Sequence, residues 1–371
     1  MTLAELSLCM IVRDEEERLS QCLESVKDAV DEIVILDTGS TDATKAVAAR
    51  YTDRVYDYEW REDFAHARNA SFARASKPFI LWLDADDVLE PEQRERLIAL
   101  KGRLDEHVDA VMMPYQYAFD AEGRPTLVFD RERIVRRAAG FVFSGRVHEA
   151  MTVSGRVIRE DIAVRHTGHH GESSNRRNLA IYEAWLQSGE PMAPRDRYYY
   201  ARELQSAGET ARAEQAFAAF LAQGGWIENR IDACVQRGGC LRRLGRLQEA
   251  KRSCFEAMLT GSPRAEAMCA LAACYLEEGA LEAAAVWYRA ALLCRMPEES
   301  GAFVSPDAYG YVPLMQLCMI HDRLGQTRLA SQMNEQALLL HPGDAAALAN
   351  RAYFARALSR SATQETAGRE A

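Results

Sequence analysis

The 371-residue sequence contains no apolar run near the roughly 18 residues that a membrane span requires, so a spanning helix is not expected. Its first residues, Met1-Thr-Leu-Ala-Glu-Leu-Ser-Leu-Cys-Met-Ile-Val, offer neither a basic n-region nor a small-residue cleavage site, and no targeting segment is read there. Cysteine is sparse and unpatterned. Nine occur, seven of them between Cys234 and Cys318, and no Cys-x-x-Cys pair is present. An odd number without that spacing speaks against a disulfide framework or a zinc ribbon and predicts buried thiols in a reducing cytoplasm. Basic charge is also in short supply, at 45 Lys and Arg against 55 Asp and Glu. A nucleic-acid groove needs cations to displace counterions, so that partner class is not expected.

What is present is enough apolar material, 48% with 27% charged residues, for two or three folded domains. The formal charge of −10 is unevenly placed. Residues 1–100 carry 22 acidic and 12 basic side chains, whereas the remainder carries 33 of each. Two rhythms divide the chain near residue 190. Before it, Leu6–Val12, Glu32–Leu36, Arg54–Tyr58, Phe79–Leu83 and Ala110–Tyr117 read as short strands. Helical stretches intervene, such as that carrying Leu19, Cys22, Leu23, Val26 and Val30. This alternation predicts an α/β domain over 1–190, a mostly parallel sheet with ligands bound at the carboxyl ends of its strands.

After residue 190 the strands stop. Cys240, Gly245, Ala250 and Ala257 recur as Cys274, Gly279, Ala284 and Ala291, each 34 residues later, and Pro263 recurs as Pro297. Gly208 and Ala213 lie 37 residues before Gly245 and Ala250; Gly325, Ala330 and Ala337 lie 46 after Gly279, Ala284 and Ala291, the excess fitting a loop at Glu298–Asp307. This period resembles the tetratricopeptide repeat. About four repeats fit between 196 and 342, with a capping helix at Ala345–Leu358, giving a repeat domain over 191–358 and a disordered polar tail over 359–371. Such stacks usually bind peptides or proteins. A structural role, bracing the first domain or forming a homodimer through the repeats, is the alternative.

The candidate chemistry lies where strands end. Ile33-Val-Ile-Leu-Asp37-Thr-Gly-Ser-Thr-Asp42 places a carboxylate directly after an apolar strand. Asp37 can accept a base N–H, whereas Asp42 reads as a helix cap. Phe79-Ile-Leu-Trp-Leu-Asp84-Ala-Asp86-Asp87 ends a strand in three carboxylates. Such a cluster repels itself unless a hard divalent cation such as Mg²⁺ or Mn²⁺ neutralises it.

Four blocks taken in order carry a resemblance: Leu8-Cys-Met-Ile-Val-Arg-Asp-Glu-Glu, Leu36-Asp-Thr-Gly-Ser-Thr-Asp, Ala67-Arg-Asn-Ala and Leu83-Asp-Ala-Asp-Asp. They look like the successive motifs of a glycosyltransferase family 2 domain, whose fold is the GT-A α/β/α sandwich. The resemblance implies a nucleotide-sugar donor, with Val12 and Glu15 lining the nucleotide pocket. Asp37 would meet the base, expected to be uracil, and Arg68 the ribose or pyrophosphate. Asp84 would face the ribose and Asp86 a Mn²⁺ or Mg²⁺ ion. Without the resemblance, Arg68 reads equally well as a helix-surface cation.

An inverting transferase needs a carboxylate to take the acceptor's proton. Many family 2 domains present it in a Glu-Asp pair. This chain departs from that pattern, offering His148-Glu149 in Phe141-Val-Phe-Ser-Gly-Arg-Val-His-Glu. Glu149 is the candidate base and His148 its orienter or substitute, a structural pair being the alternative. His166, at the end of Ile162-Ala-Val-Arg-His, is the candidate last metal ligand, and Gly168–Gly171 a candidate lid. The combination of domains resembles a bacterial branch of the family that includes sublancin-type peptide S-glycosyltransferases. A peptide or protein acceptor held near the repeats is therefore the leading expectation. The alternatives are a cell-surface polysaccharide transferase docked through the repeats, and an inactive repeat scaffold that binds a protein partner.

Overall fold

A computed structural model describes residues 3–119, 123–168, 172–297 and 304–367. The chain divides into two compact units, Met1–Met192 and Ala193–Ala371. No helix among the described residues is long and apolar enough to cross a membrane.

The first unit is built on a mixed sheet of β1 (Leu6–Val12), β2 (Glu32–Asp37), β3 (Val55–Asp57), β4 (Phe79–Trp82), β5 (Asp87–Val88), β6 (Ala110–Phe119), β7 (Pro125–Arg136), β10 (Val157–Arg159) and β11 (Val164–His166). Its order is β3-β2-β1-β4-β7-β6-β11-β5, with β10 also on β6. The pairs among β1, β2, β3 and β4 are parallel, as are those of β6 with β10 and β11. β7 runs antiparallel to both β4 and β6.

β1 is buried along nearly its whole length because both faces of the sheet are covered. On one face Leu6, Leu8, Met10, Ile35 and Leu81 pack against Leu19 and Leu23 of α1 (Leu19–Val26), Val47 of α2 (Thr44–Ala48) and Leu97 of α4 (Pro91–Lys101). On the other, Cys9, Val34, Ile80 and Trp82 pack against Ala65 and Phe72 of α3 (Phe64–Phe72), and against Phe143 and Met151 of the hairpin β8 (Phe143–Ser144) and β9 (Ala150–Met151). This is the GT-A arrangement. α2 begins at Thr44, whose backbone N–H donates to the Asp42 carboxylate at 2.9 Å. One further helix, α5 (Glu172–Ser188), closes the unit.

Among its described residues the second unit holds helices only: α6 (Pro194–Ser206), α7 (Thr210–Gln223), α8 (Ile227–Arg243), α9 (Leu247–Thr260), α10 (Ala265–Glu277), α11 (Leu281–Ala291), α12 (Tyr311–Arg323), α13 (Thr327–Leu340) and α14 (Ala345–Ala367). Gly208, Gly245, Gly279 and Gly325 each take φ between +73° and +80° in the turn that joins the two helices of a pair, a conformation glycine adopts without strain. The periodic alanines are the points of helix contact: Ala213, Ala250, Ala284 and Ala330 are fully buried. These are tetratricopeptide-type helix pairs. α14 runs from Ala345 to Ala367, past Leu358 where the capping helix was expected to end.

Candidate active site

The first two strands set one end of the site. Val12 and Asp37 are register partners at the ends of β1 and β2. The Asp37 side chain is fully buried. Its Oδ1 accepts the N–H groups of Gly39 at 3.0 Å and Ser40 at 2.8 Å, whereas Oδ2 is buried with no hydrogen-bond partner among the described residues. A buried carboxylate oxygen left in this state costs free energy unless a donor arrives from outside the chain. Glu15 follows β1, its backbone N–H donating to Thr44 Oγ1 at 2.7 Å. Burial and the nearby carboxylate of Asp86 push Glu15 up to about 7.

The end of β4 supplies the second group. Asp84 sits beside Arg68, whose Nη2 donates to Asp84 Oδ1 at 2.6 Å and whose Nε donates to Glu149 Oε1 at 2.6 Å. The sequence explains this bridge. Asn69, next along α3, donates to the Phe143 carbonyl at 2.9 Å and accepts the Phe143 N–H at 2.8 Å, fixing the hairpin that carries Glu149. Although burial works to raise Asp84, Arg68 and Arg133 outweigh it and hold the carboxyl at about 2. Arg68 thus lies inside the unit, not on a helix surface, with its side chain 8% exposed.

Two residues on, Asp86 behaves in the opposite way. Burial and repulsion by Asp84 push it up to about 6. Its Oδ1 lies 3.5 Å from Nδ1 of His166, at the end of β11, and that nitrogen is 3.7 Å from Asp87 Oδ1. Ligand atoms of Asp86, Asp87 and His166 all fall within 4.8 Å of one another. Burial opposes protonation of His166, but the carboxylates of Asp87 and Asp86 prevail and raise its pKa. The Thr167 N–H donates to the Asp86 carbonyl at 2.8 Å, and at Gly168 a Cβ would collide with Asp86 Oδ2, so the chain after β11 lies directly on this carboxylate. The rest of the expected lid, His169 to Gly171, lies outside the described residues. His148 is exposed and held at φ +50°.

Residues 7–163 match the family model Glycosyl transferase family 2. They are a family 2 glycosyltransferase domain. The chain is 33% identical over 300 residues to a TPR repeat-containing protein of Synechococcus elongatus, covering 78% of this chain and 66% of that protein. It is 30% identical over 207 residues to the SPbeta prophage-derived glycosyltransferase SunS of Bacillus subtilis, covering 53% and 48% respectively. It is also 33% identical over 159 residues to the lipopolysaccharide core biosynthesis glycosyltransferase LpsC of Rhizobium meliloti, covering 41% and 58%. The chain thus spans between about half and about two thirds of the length of these relatives.

Within the transferase domain several residues escaped sequence reasoning. Arg133 is completely buried, paired with Asp87 at 2.9 Å and stacked between Trp82 at 4.1 Å and Tyr115 at 4.4 Å. Tyr115 reaches His166 Nδ1 through its hydroxyl at 3.0 Å, and Tyr117 stacks on the imidazole with ring centroids 5.1 Å apart. The alternation Tyr115, Tyr117 along β6 was a readable signal of one aromatic face. Arg133 was not readable, because an arginine inside a strand ordinarily marks a solvated position.

Proposed function

We propose that the chain is an inverting glycosyltransferase that moves a sugar from a nucleotide-sugar donor, with UDP as the expected nucleotide, to a peptide or protein acceptor. The observation that carries this reading is the meeting of Asp86 and His166, 80 residues apart in sequence, beside Asp84 and Asp87 at the carboxyl edge of the sheet. Two carboxylates and an imidazole form a donor set suited to Mn²⁺ or Mg²⁺, and the raised pKa of Asp86 is the mark of negative charge awaiting a counter-ion. Asp86 and His166 would hold the ion, which when bound stabilises the charge of the departing diphosphate.

The protein's own groups do the rest. The unpartnered Oδ2 of Asp37 supports its role as acceptor of the uracil N–H. Val12 and Glu15 lie at the same strand end, and Arg68 orients Asp84 toward the ribose. Glu149, 12% exposed and held by Arg68, takes the proton of the acceptor nucleophile as it bonds to the anomeric carbon; the bond from that carbon to the diphosphate oxygen breaks, and its electron pair leaves with the nucleotide. His148 borders Glu149 as orienter or substitute base. Helix pairs of the repeat type support a bound acceptor polypeptide or a homodimer contact, and nine free thiols support a cytoplasmic setting.

A second reading, a saccharide acceptor of the cell surface, is supported by the relative named for lipopolysaccharide core biosynthesis. Hydrolysis and transfer assays over UDP- and GDP-sugars with Mn²⁺ or Mg²⁺ test the donor. Glycan and peptide acceptor panels then separate the two readings. A chain that neither binds nor turns over any of these donors would be the inactive scaffold.

A further inference from the structure

Of the three arginines around Trp82, two are engaged by carboxylates of the site. Arg133 is fully buried against Asp87, and Arg68 divides its guanidinium between Asp84 and Glu149. The third is Arg131 on β7. β4 and β7 pair antiparallel with Leu81 opposite Ile134; continuing that register beyond the end of β4 brings Arg131 opposite Asp84. All three guanidinium groups gather on one indole: Arg68, Arg131 and Arg133 lie 4.7, 4.9 and 4.1 Å from the Trp82 ring.

Arg131 differs from the other two in combining spare donors with exposure: Arg133 also leaves Nε and Nη2 without a hydrogen-bond partner among the described residues, but it is fully buried. Its side chain is 25% exposed, and among the described residues its hydrogen bonding is one contact, Nη2 to Glu132 Oε1 at 3.2 Å. A guanidinium carries five N–H donors in a fixed fork. Stacking on an aromatic face limits the motion of that fork without occupying its edge, which suits it to phosphate oxygens.

Resting on the reading of this site as one for a nucleotide-sugar donor, we infer that Arg131 binds the donor's diphosphate. The diphosphate brings negative charge to a site already crowded with Asp84, Asp86 and Glu149, and of the three guanidinium groups on Trp82 Arg131 is the one that is both exposed and short of hydrogen-bond partners. As the bond from the anomeric carbon to the phosphate oxygen breaks, the electron pair and charge collect on that diphosphate. Hydrogen bonds from Arg131 strengthen in step with that charge.

Equilibrium binding of UDP and of uridine to the full chain at saturating Mn²⁺, for wild type, Arg131→Met and Arg131→Lys, tests the inference. Arg131→Met is expected to bind UDP on the order of tenfold more weakly with uridine affinity unchanged, the loss of one charge-assisted contact. Arg131→Lys is expected to recover part of the loss, since lysine keeps the charge without the fork. Equal weakening of UDP and uridine would reduce Arg131 to a support of the pocket, and UDP binding at wild-type strength in both variants would remove it from the diphosphate; either overturns the inference while leaving the donor reading intact. A wild type that binds no UDP overturns that donor reading and the role of Arg131 with it.

Discussion

The two units bury charge for opposite ends. In the helical unit, buried ionic groups are matched between neighbouring helices: Glu214 meets Arg237 at 2.9 Å and Arg246 at 3.2 Å, Lys251 meets Glu278 at 2.5 Å, and Arg264 meets Glu228. In the sheet unit, Glu15, Asp84, Asp86, Asp87 and Glu149 gather with Arg68 and Arg133 as their buried counter-charges. The result is a carboxyl held at about 2 next to one pushed up to about 6. Matched charge adds register to a stack; unmatched charge at a strand end is a site kept ready for a ligand.

The largest expected effect that tests this contrast is Arg133→Met. It leaves Asp87 buried without its arginine, and urea unfolding should show a loss of about 3–5 kcal/mol. Asp86→Asn should instead lower transfer by roughly 100-fold or more, since even residues that only support a metal ligand cost about 10–100-fold when changed, without lowering Tm. A variant of full activity in metal-free buffer would break the assignment. Lys251→Met in the helical unit leaves its partner Glu278 27% exposed and able to turn to water, and should cost about 1 kcal/mol or less by the same urea titration; a loss equal to that of Arg133→Met would erase the distinction between the units.

The smallest effect sharpens the sign. Asp86 has its folded pKa above the ordinary carboxylate value, so the native state binds the extra proton. Its contribution to stability is therefore favourable at low pH and fades as pH rises toward about 6. In EDTA, the Tm of Asp86→Asn relative to wild type should climb between pH 5 and pH 7, and Mn²⁺ should reverse that trend. A difference that stays flat across this range would mean that neither burial nor its neighbours raise Asp86.

Much of the fold was legible because it follows from local pattern. Apolar runs ending in Asp37 and Asp84 mark strand ends, and a 34-residue period with glycine in the turn marks helix pairs. Asp86 and His166 could each be chosen by the same end-of-strand logic. What stayed hidden depends on register between distant segments. The β6–β7 pairing shifts between Val111 and Met112, so Arg133 is an extra residue on its strand and turns inward where alternation alone would not send it. Likewise Asn69 reads as a helix residue until Phe143, 74 positions later, supplies both of its partners.

The helix pairs have one more consequence. Each main packing partner in the second unit is an adjacent helix, α8 with α9, α9 with α10, α10 with α11 and onward. No buried residue there has to be coordinated with one several repeats away, so the number of pairs is an editable quantity. Duplication or deletion of a 34-residue module would change the reach of this unit while every remaining interface kept its geometry.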